Sequence, residues 1–394
     1  MTVGVDMQIA LIADDLTGAL DAAAPFAARG RVTQVLCRLP AEHTPIAVAA
    51  AAVVSINTES RHWRADHAAQ AVEAAWRLLA PLSPALLYKK IDSTLRGNVV
   101  AETLALLQAS GKRYALLTPA YPAQNRTVRG GEVYVAGVPL AQTVYTRDLV
   151  SPAPTTPLAG LFEHAGLPAF TGPQPPVLGS DSMIWIADAE TEADLQRIAG
   201  WALEHAANVL TVGSPGLTTA LAQQAFGAPL PLPKPAQRKG IVLFAVGSRA
   251  PVSRAQADRL AQQPGCVTVD APRGAVDVGH VLRLATARSR ALLIRVPAEP
   301  ADHPASAVAE ALGAGVARLC EHIAVKALVV TGGDCALAVL NALGHAKVQC
   351  LGEWRPGVPL SVAGPSSNTT WLITKAGGFG APEVFVEALD YFQS

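Results

Sequence analysis

Short apolar runs that end in polar residues recur along the chain, and each leads into a stretch with helical spacing. "QIALIADD" is closed by two acids, and "LDAAAPFAARG" beyond it has helical character and a terminal glycine, so strand, loop and helix are predicted in turn. "AVVSINTESR", "PALLYKKIDS" and "YALLTPAYP" repeat the strand that runs out into polar residues, while "AAQAVEAAWRLLA" and "NVVAETLALLQAS" read as helices. "MIWIADAETEADLQRIAGWAL" and "NVLTVGSPGLTTALAQQAF" add two more strand–helix units. This alternation predicts an α/β fold with a mostly parallel sheet. Ligands of such sheets gather outside the carboxyl ends of the strands. Four polar clusters fall at such ends: Asp14–Asp15, Asn57–Arg61, Lys89–Arg96 and Thr118–Gln124.

"GAPLPLPKPAQRKG" then places four prolines in fourteen residues. Proline fixes φ and continues neither a helix nor a central strand, so an interdomain linker is expected. After it, "IVLFAVGSRAPVSRAQADRL", "ALLIRVPAE", "AVKALVVTGGDCALAVLNALG" and "WLITKAGGFG" restart the strand–loop–helix pattern. The expected division is an α/β domain over 1–230, a linker over 231–239 and a second α/β domain over 240–394. The Pro-rich stretch from Ser151 to Gly179 reads as a surface excursion.

Half of the 394 residues are hydrophobic, enough for a large core, and charged residues make up 16%, below the ~25% of ordinary globular chains. The formal net charge is zero, which argues against nucleic acid and against an anionic membrane surface as partners. A bound anion must therefore be caught by placed groups rather than by a general field. Five scattered cysteines without a CxxC pair point to a reducing, cytoplasmic setting, and the dispersed histidines give no zinc spacing. No apolar stretch reaches the ~18 residues of a membrane span, and the first residues do not read as a signal peptide.

The chemistry is concentrated in a few loops. In "ADDLTGALD", adjacent carboxylates at a strand end suit Mg²⁺ binding or general-base work; turn and cap roles suit them equally, and Thr17 is a candidate helix cap. In "KKIDSTLRGNV", lysines and Arg96 suit an anion, Asp92 can take a hydroxyl proton, and Ser93 and Thr94 are candidate caps of the next helix; the plain alternative is a solvated charged turn. "GSRAPVSRAQ", "VVTGGDCALAVL" and "TKAGGFG" are three glycine turns after strands, a set that suits a nucleotide although none is a GxxxxGK[ST] loop. No GxGxxG follows an early strand, which disfavours a dinucleotide-dependent oxidoreductase, and no GxSxG elbow is present.

Together these motifs resemble the four-carbon acid sugar kinase family, from about Ile9 to the C-terminus. The family's DD-x-TGA stands here as Asp14, Asp15, Thr17, Gly18 and Ala19, and K-x-DST-x-RG as Lys90, Asp92, Ser93, Thr94, Arg96 and Gly97. A Ser-Arg pair matches Ser60 and Arg61. Further matches are Pro119, Ala120, Pro122, Arg126, Thr127, Gly130 and Gly131, then Gly137 to Ala141, Thr143, Arg147 and Asp148, and then Gly213, Ser214, Gly216 and Leu217. In the second half the pattern continues at Gly247, Ser248, Pro251, Ser253 and Gln256, at Thr331 to Ala336, and at Lys375, Gly377, Phe379 and Gly380. Ala250, Ser253, Cys335 and Ala376 depart from the usual residues, and Ala250, Cys335 and Ala376 remove hydroxyls around the nucleotide loops.

The resemblance implies an ATP- and Mg²⁺-dependent kinase that phosphorylates the terminal hydroxyl of threonate, erythronate or a 3-oxo-tetronate, with the active site in the interdomain cleft. It implies a sugar acid held in the N-terminal domain by Asp14, Thr17, Ser60, Arg61, Lys90, Ser93, Arg96 and Gly97, with Arg61 or Arg96 on the carboxylate and Asp15 or Asp92 as base. The nucleotide is implied at Ser248, Thr331, Gly332, Gly333, Asp334, Gly377 and Gly378. A homodimer is the expected assembly, since closed two-fold assemblies are common. A non-catalytic sugar-acid sensor that has kept the fold is the alternative.

Overall fold

The computed structural model describes residues 7–40, 51–148, 151–235, 239–297, 303–364 and 369–393. The chain divides into two compact units, Met1–Leu230 and Pro231–Ser394. Of the expected linker, residues 236–238 lie outside the described residues.

The first unit is built from β1 (Ile9–Ala13), α1 (Leu16–Ala27), β2 (Thr33–Leu36), β3 (Val53–Asn57), α2 (Ala65–Leu79), β4 (Leu86–Lys90), α3 (Val99–Ser110) and β5 (Tyr114–Thr118). The short strands β6 (Arg126–Arg129), β7 (Glu132–Val135) and β8 (Val138–Pro139) form a separate antiparallel sheet. Then come α4 (Leu158–His164), β9 (Ala169–Gly172), β10 (Met183–Ala187), α5 (Glu192–Glu204), β11 (Val209–Gly213) and α6 (Pro215–Phe226). The main sheet runs β2-β3-β1-β4-β11-β5-β10-β9, and its pairs are parallel. The strands β1, β3, β4, β5 and β11 are buried along their whole length, which is why they read as continuous apolar runs: a parallel sheet is covered on both faces. Helix α2 covers it with Ala68, Ala71, Val72, Ala75 and Leu79, a stripe at helical spacing.

The second unit contains β12 (Ile241–Val246), α7 (Pro251–Ala261), β13 (Cys266–Asp270), α8 (Val278–Leu284), β14 (Ala291–Arg295), α9 (Ala305–His322), β15 (Val325–Thr331), α10 (Gly333–Ala342), β16 (Lys347–Arg355), β17 (Val358–Ala363), β18 (Thr370–Lys375) and α11 (Val384–Gln393). Its strands run β13-β14-β12-β15-β18 in parallel and continue antiparallel through β17 to β16. The core gathers Phe244, Leu293, Val329, Trp354, Ile373 and Phe385.

Several sequence expectations change. The stretch from Ser151 to Gly179 is not wholly a surface excursion: α4 buries Leu158 and Phe162, and β9 joins the edge of the main sheet. A four-residue, half-exposed edge strand carries too little apolar signal to stand out. Thr17 does not cap α1: Asp15 does, accepting from the Gly18 amide, while Thr17 lies inside the helix. Nor do Ser93 and Thr94 cap α3, whose N-cap is Asn98. All five cysteines are unpaired. Among the described residues no helix is long and apolar enough to cross a membrane.

Helices α9 and α10 approach through Gly313, where a Cβ would lie 2.6 Å from the carbonyl carbon and oxygen of Ala338. Neither backbone can give way as a side chain would. Gly313→Ala should therefore lower the unfolding free energy by about 1–3 kcal/mol in urea titrations. No loss of stability would show that the two helices are not packed this closely.

Candidate active site

Strand register places the chemistry of the first unit in one row. Asn57, Ala13, Lys90, Gly213 and Thr118 are successive partners across β3, β1, β4, β11 and β5. The loop that follows each strand therefore leaves the sheet at one level, its carboxyl rim.

On this rim Arg61 closes as a fork on Asp14, with Nε to Oδ2 at 2.9 Å and Nη2 to Oδ1 at 2.8 Å, and Nη2 also reaches Asp15 Oδ1 at 2.8 Å. Burial works to raise the Asp14 carboxyl, but Arg61, with Lys89 and Lys90 behind it, outweighs this and holds it below the ordinary carboxylate value. Asp15 is further occupied by the Gly18 amide and by the Thr17 hydroxyl at 2.6 Å. Gly97 makes room for the pair: its φ is +92°, and a Cβ there would stand 2.9 Å from Asp14 Oδ2. The residues just before Ser60 and Arg96 are left-handed without being glycine, Glu59 at φ 58° and Leu95 at φ 59°. Such backbone costs on the order of 1–3 kcal/mol each and collects where side chains must be aimed.

A second fork lies in the loop after β4. Arg96 Nε meets Asp92 Oδ2 at 2.8 Å and Nη2 meets Oδ1 at 3.2 Å, and the Thr94 hydroxyl donates to Asp92 Oδ2. Burial pushes the Asp92 carboxyl up, yet the charges of Arg96 and Arg61 and these hydrogen bonds carry it well below the ordinary value. Both arginines expected on a substrate carboxylate are thus already held by the protein's own aspartates.

Lys90 differs. It is 4% exposed, and its ammonium has no hydrogen-bond or ion-pair partner among the described residues. Its Nζ lies 2.8 Å from the point a Cβ on Gly18 would occupy, at the N-terminal turn of α1 and beside Asp15. The Ser93 hydroxyl, in a buried residue, likewise has no partner among the described residues.

Ser60 lies behind the site rather than on it. It is fully buried, donates to Glu102 Oε1 at 2.5 Å and sits 2.7 Å from the Thr58 hydroxyl. Glu102 Oε2 in turn pairs with Lys89 Nζ at 2.7 Å, with both side chains sealed from solvent. Burial raises the Glu102 carboxyl, against the pull of Lys89. Sequence reasoning gave Lys89 no separate role and passed over Glu102, because a lone glutamate in an apolar helix carries no local signature. It also gave Asp148 no role and passed over Tyr145. Asp148 stands 3.6 Å from Arg96 Nη1, and the Tyr145 ring lies 5.7 Å from the Arg96 guanidinium. Arg126, just beyond the fourth polar cluster, reaches the Tyr145 hydroxyl through Nη2 at 3.4 Å.

The second unit repeats the arrangement. Asp270, Arg295, Val246, Thr331 and Lys375 are partners in one row across β13, β14, β12, β15 and β18. Three glycine turns leave this row. Ser248 receives the Ala250 amide at 3.2 Å, and a Cβ at Gly377 would collide with the Ser248 hydroxyl, so these two turns touch. Gly332 N–H donates to the Lys375 carbonyl at 3.1 Å, joining the second turn to the third. Helices α7 and α10 both start here without a side-chain cap, so their first N–H groups are open to an anion. The uncapped start of α7 falls on Ala250. Asp334 lies in the first turn of α10. Thr331, by contrast, is fully buried at the end of β15, its hydroxyl facing away from solvent, and nothing lies within 4 Å of a Cβ at Gly378.

The third turn is tied down from beneath. Lys375 Nζ donates to Ser253 Oγ at 3.0 Å and to the carbonyls of Ala376 and Gly377 at 3.1 and 3.4 Å. Ser253 Oγ donates to the Gly377 carbonyl at 2.7 Å, and Gln256 Nε2 donates to the carbonyls of Phe379, Gly380 and Ala381. Burial lowers the Lys375 ammonium to about 7.

Residues 9–169 match a family model described as a sugar-binding N-terminal domain, and residues 243–385 one described as a nucleotide-binding C-terminal domain. D-threonate kinase of Salmonella typhimurium is 32% identical over 98% of this chain and 99% of that protein. D-erythronate kinase of Heliobacterium modesticaldum is 30% identical over 98% of this chain and 97% of that protein. The crystal structure of a Haemophilus influenzae protein superposes with a TM-score of 0.74 at 20% identity, over 97% of this chain and 100% of that one, a likeness of fold.

The depressed Lys375 value has a sign that can be checked. Above pH 7 the folded state has released this proton while the unfolded lysine, titrating near 10.4, still holds it, so stability rises with pH across that window. Urea unfolding of the wild type relative to Lys375→Met should therefore strengthen from about pH 7 towards pH 10. A difference that stays flat with pH would mean the lysine is not buried as described.

Proposed function

We propose that this chain, which belongs to the four-carbon acid sugar kinase family, transfers the γ-phosphoryl group of ATP to the terminal hydroxyl of a tetronate. D-threonate is the first candidate, because the D-threonate kinase is the more similar of the two relatives described above. The observation that carries the reading is Lys90, a buried cation with no partner among the described residues, on a rim whose two arginines already have theirs.

A short hydroxylated anion suits that arrangement. Lys90 takes the carboxylate, and Ser93 meets a middle hydroxyl. Arg61 keeps Asp14 and Asp15 neutralised, so that an acid is not repelled from a rim that carries three aspartates. Of the two candidate bases, Asp92 is the one we assign to the terminal hydroxyl. Asp15 is occupied as the cap of α1, whereas Asp92 Oδ1 accepts one long hydrogen bond among the described residues. A low pKa suits this duty: phosphoryl transfer proceeds through a loose transition state, so catalysis rests on positioning and charge more than on a strong base.

The nucleotide is the second unit's ligand in this reading. Its phosphates meet the open N-terminal turn of α10 at Gly332–Gly333, Ser248, and the turn at Gly377 that Lys375 fastens. The residues fit Mg²⁺ as well: Asp334, a single carboxylate beside that turn, is the hard oxygen donor such an ion takes when the nucleotide phosphates supply the rest. When bound, the ion would offset charge on the phosphate oxygens. An ATP supply places the activity in the cytoplasm.

A coupled ADP-release assay tests the reading, with both enantiomers of threonate and erythronate and the 3-oxo acids as acceptors. D-threonate should support the highest kcat/KM. Lys90→Met should raise its KM roughly ten- to a hundredfold, the worth of a charged hydrogen bond, while Asp92→Asn should mainly lower kcat, by about 10²–10⁴. Tetronate binding without any ADP release would favour the sensor, and unchanged KM in Lys90→Met would remove the lysine from the site.

A further inference from the structure

The turns so far assigned in the second unit account for phosphates and leave the rest of a nucleotide unplaced. On the same rim, over the carboxyl ends of β12, β13 and β14, lies a cavity of about 150 Å³ with Ser248 in its wall. That is several times the ~30 Å³ share of one water. Val246, Ala257, Val296 and Pro297 give it apolar surfaces. Its polar wall holds Arg254 and an ion-paired group in which Arg295, on β14, holds Asp270 Oδ1 through Nε at 2.7 Å and Asp258 Oδ1 through Nη1 at 2.6 Å. The fork fixes the Asp270 carboxylate and leaves Oδ2 without a partner among the described residues.

We propose that this cavity is the nucleoside pocket of the second unit, with the base against its apolar surfaces and a ribose hydroxyl donating to Asp270. The inference rests on the second unit being the nucleotide-binding one. Arg254 also lines the wall, so its two carboxylates and two guanidiniums balance in charge, and the open Asp270 Oδ2 is an acceptor suited to a neutral hydroxyl donor. Position agrees. Ser248 belongs both to this wall and to the phosphate turns, so one ligand can run from one to the other. Asp270 ends the unit's second strand, 23 residues after Gly247 (270 − 247). An acidic residue about 20 residues past the first glycine turn is the ribose partner in dinucleotide-binding folds. Here β14 stands between β12 and β13, which sets Asp270 on the order of 10 Å from the end of β12, at ~4.8 Å per strand. The base would then lie over β14.

Calorimetric titration of the full chain with ADP, 2′-deoxy-ADP and 3′-deoxy-ADP tests this. The wild type should bind ADP roughly tenfold tighter than at least one deoxy analogue, and Asp270→Ala should bind all three alike. Val296→Trp, which fills the cavity without touching the carboxylates, should weaken ADP at least tenfold while keeping cooperative thermal unfolding. Wild-type discrimination retained in Asp270→Ala, no discrimination by a wild type that binds ADP, or full ADP affinity in Val296→Trp would each overturn the pocket alone. A wild type that binds no adenine nucleotide would overturn the reading of the second unit, and the pocket with it.

Discussion

The fork of Arg61 over Asp14, with a further bond to Asp15, is the constraint on which the first rim depends. Two adjacent carboxylates at the end of a buried parallel strand would otherwise repel each other and any acid brought near them. Removing one member of such a buried pair leaves the other charge uncompensated, typically at about 3–5 kcal/mol. The fork holds only because the neighbouring chain is bent to allow it. Glu59 takes a left-handed backbone just before Ser60, Gly97 leaves space against Asp14, and the sealed Lys89–Glu102 pair anchors Ser60 from below. Arg61 is therefore a part of the frame. What the frame would present to a ligand, in the proposed reading, is Lys90 and the hydroxyl of Ser93.

The two units solve the same problem with opposite charge logic. In the first, on the reading proposed above, guanidiniums quiet the aspartates so that an anion can approach Lys90. In the second, the groups offered to an anion are mostly backbone N–H donors, at the uncapped starts of α7 and α10 and around the glycine turns. Those turns owe their shape to side chains beneath them: Lys375 and Ser253 hold the Gly377 carbonyl, and Gln256 gathers three successive carbonyls. Ala250, which lacks a capping hydroxyl, fits this scheme. A capping hydroxyl would occupy an amide that here stays open.

Much of this was legible in the sequence, for a definite reason. Strands buried on both faces are written as unbroken apolar runs, so β1, β3, β4, β5, β11, β12 and β15 could be read directly, together with the loops that leave their carboxyl ends. The short edge strand β9, the hairpin strands β6 to β8 and the β16–β17 antiparallel pair could not, since partial exposure or a bulge breaks the pattern. Residue types at the site were readable, but their partners were not. Arginine beside aspartate in a loop suggests a substrate anion as readily as an internal ion pair, and only geometry shows that Arg61 and Arg96 are already engaged. Thr17, Ser93 and Thr94 looked like caps because hydroxyls near helix starts usually are; Asp15 and Asn98 hold those places instead. Glu102 gave no signal, because it lies in helix α3 and its partner Lys89 is supplied by strand β4.

A crystal structure of the protein with bound D-threonate tests the central claim most directly. The account predicts that Arg61 stays forked over Asp14 and that the acid lies within hydrogen-bond distance of Lys90 Nζ. Arg61 swung away from Asp14 and onto the substrate carboxylate, with Lys90 untouched, would contradict it.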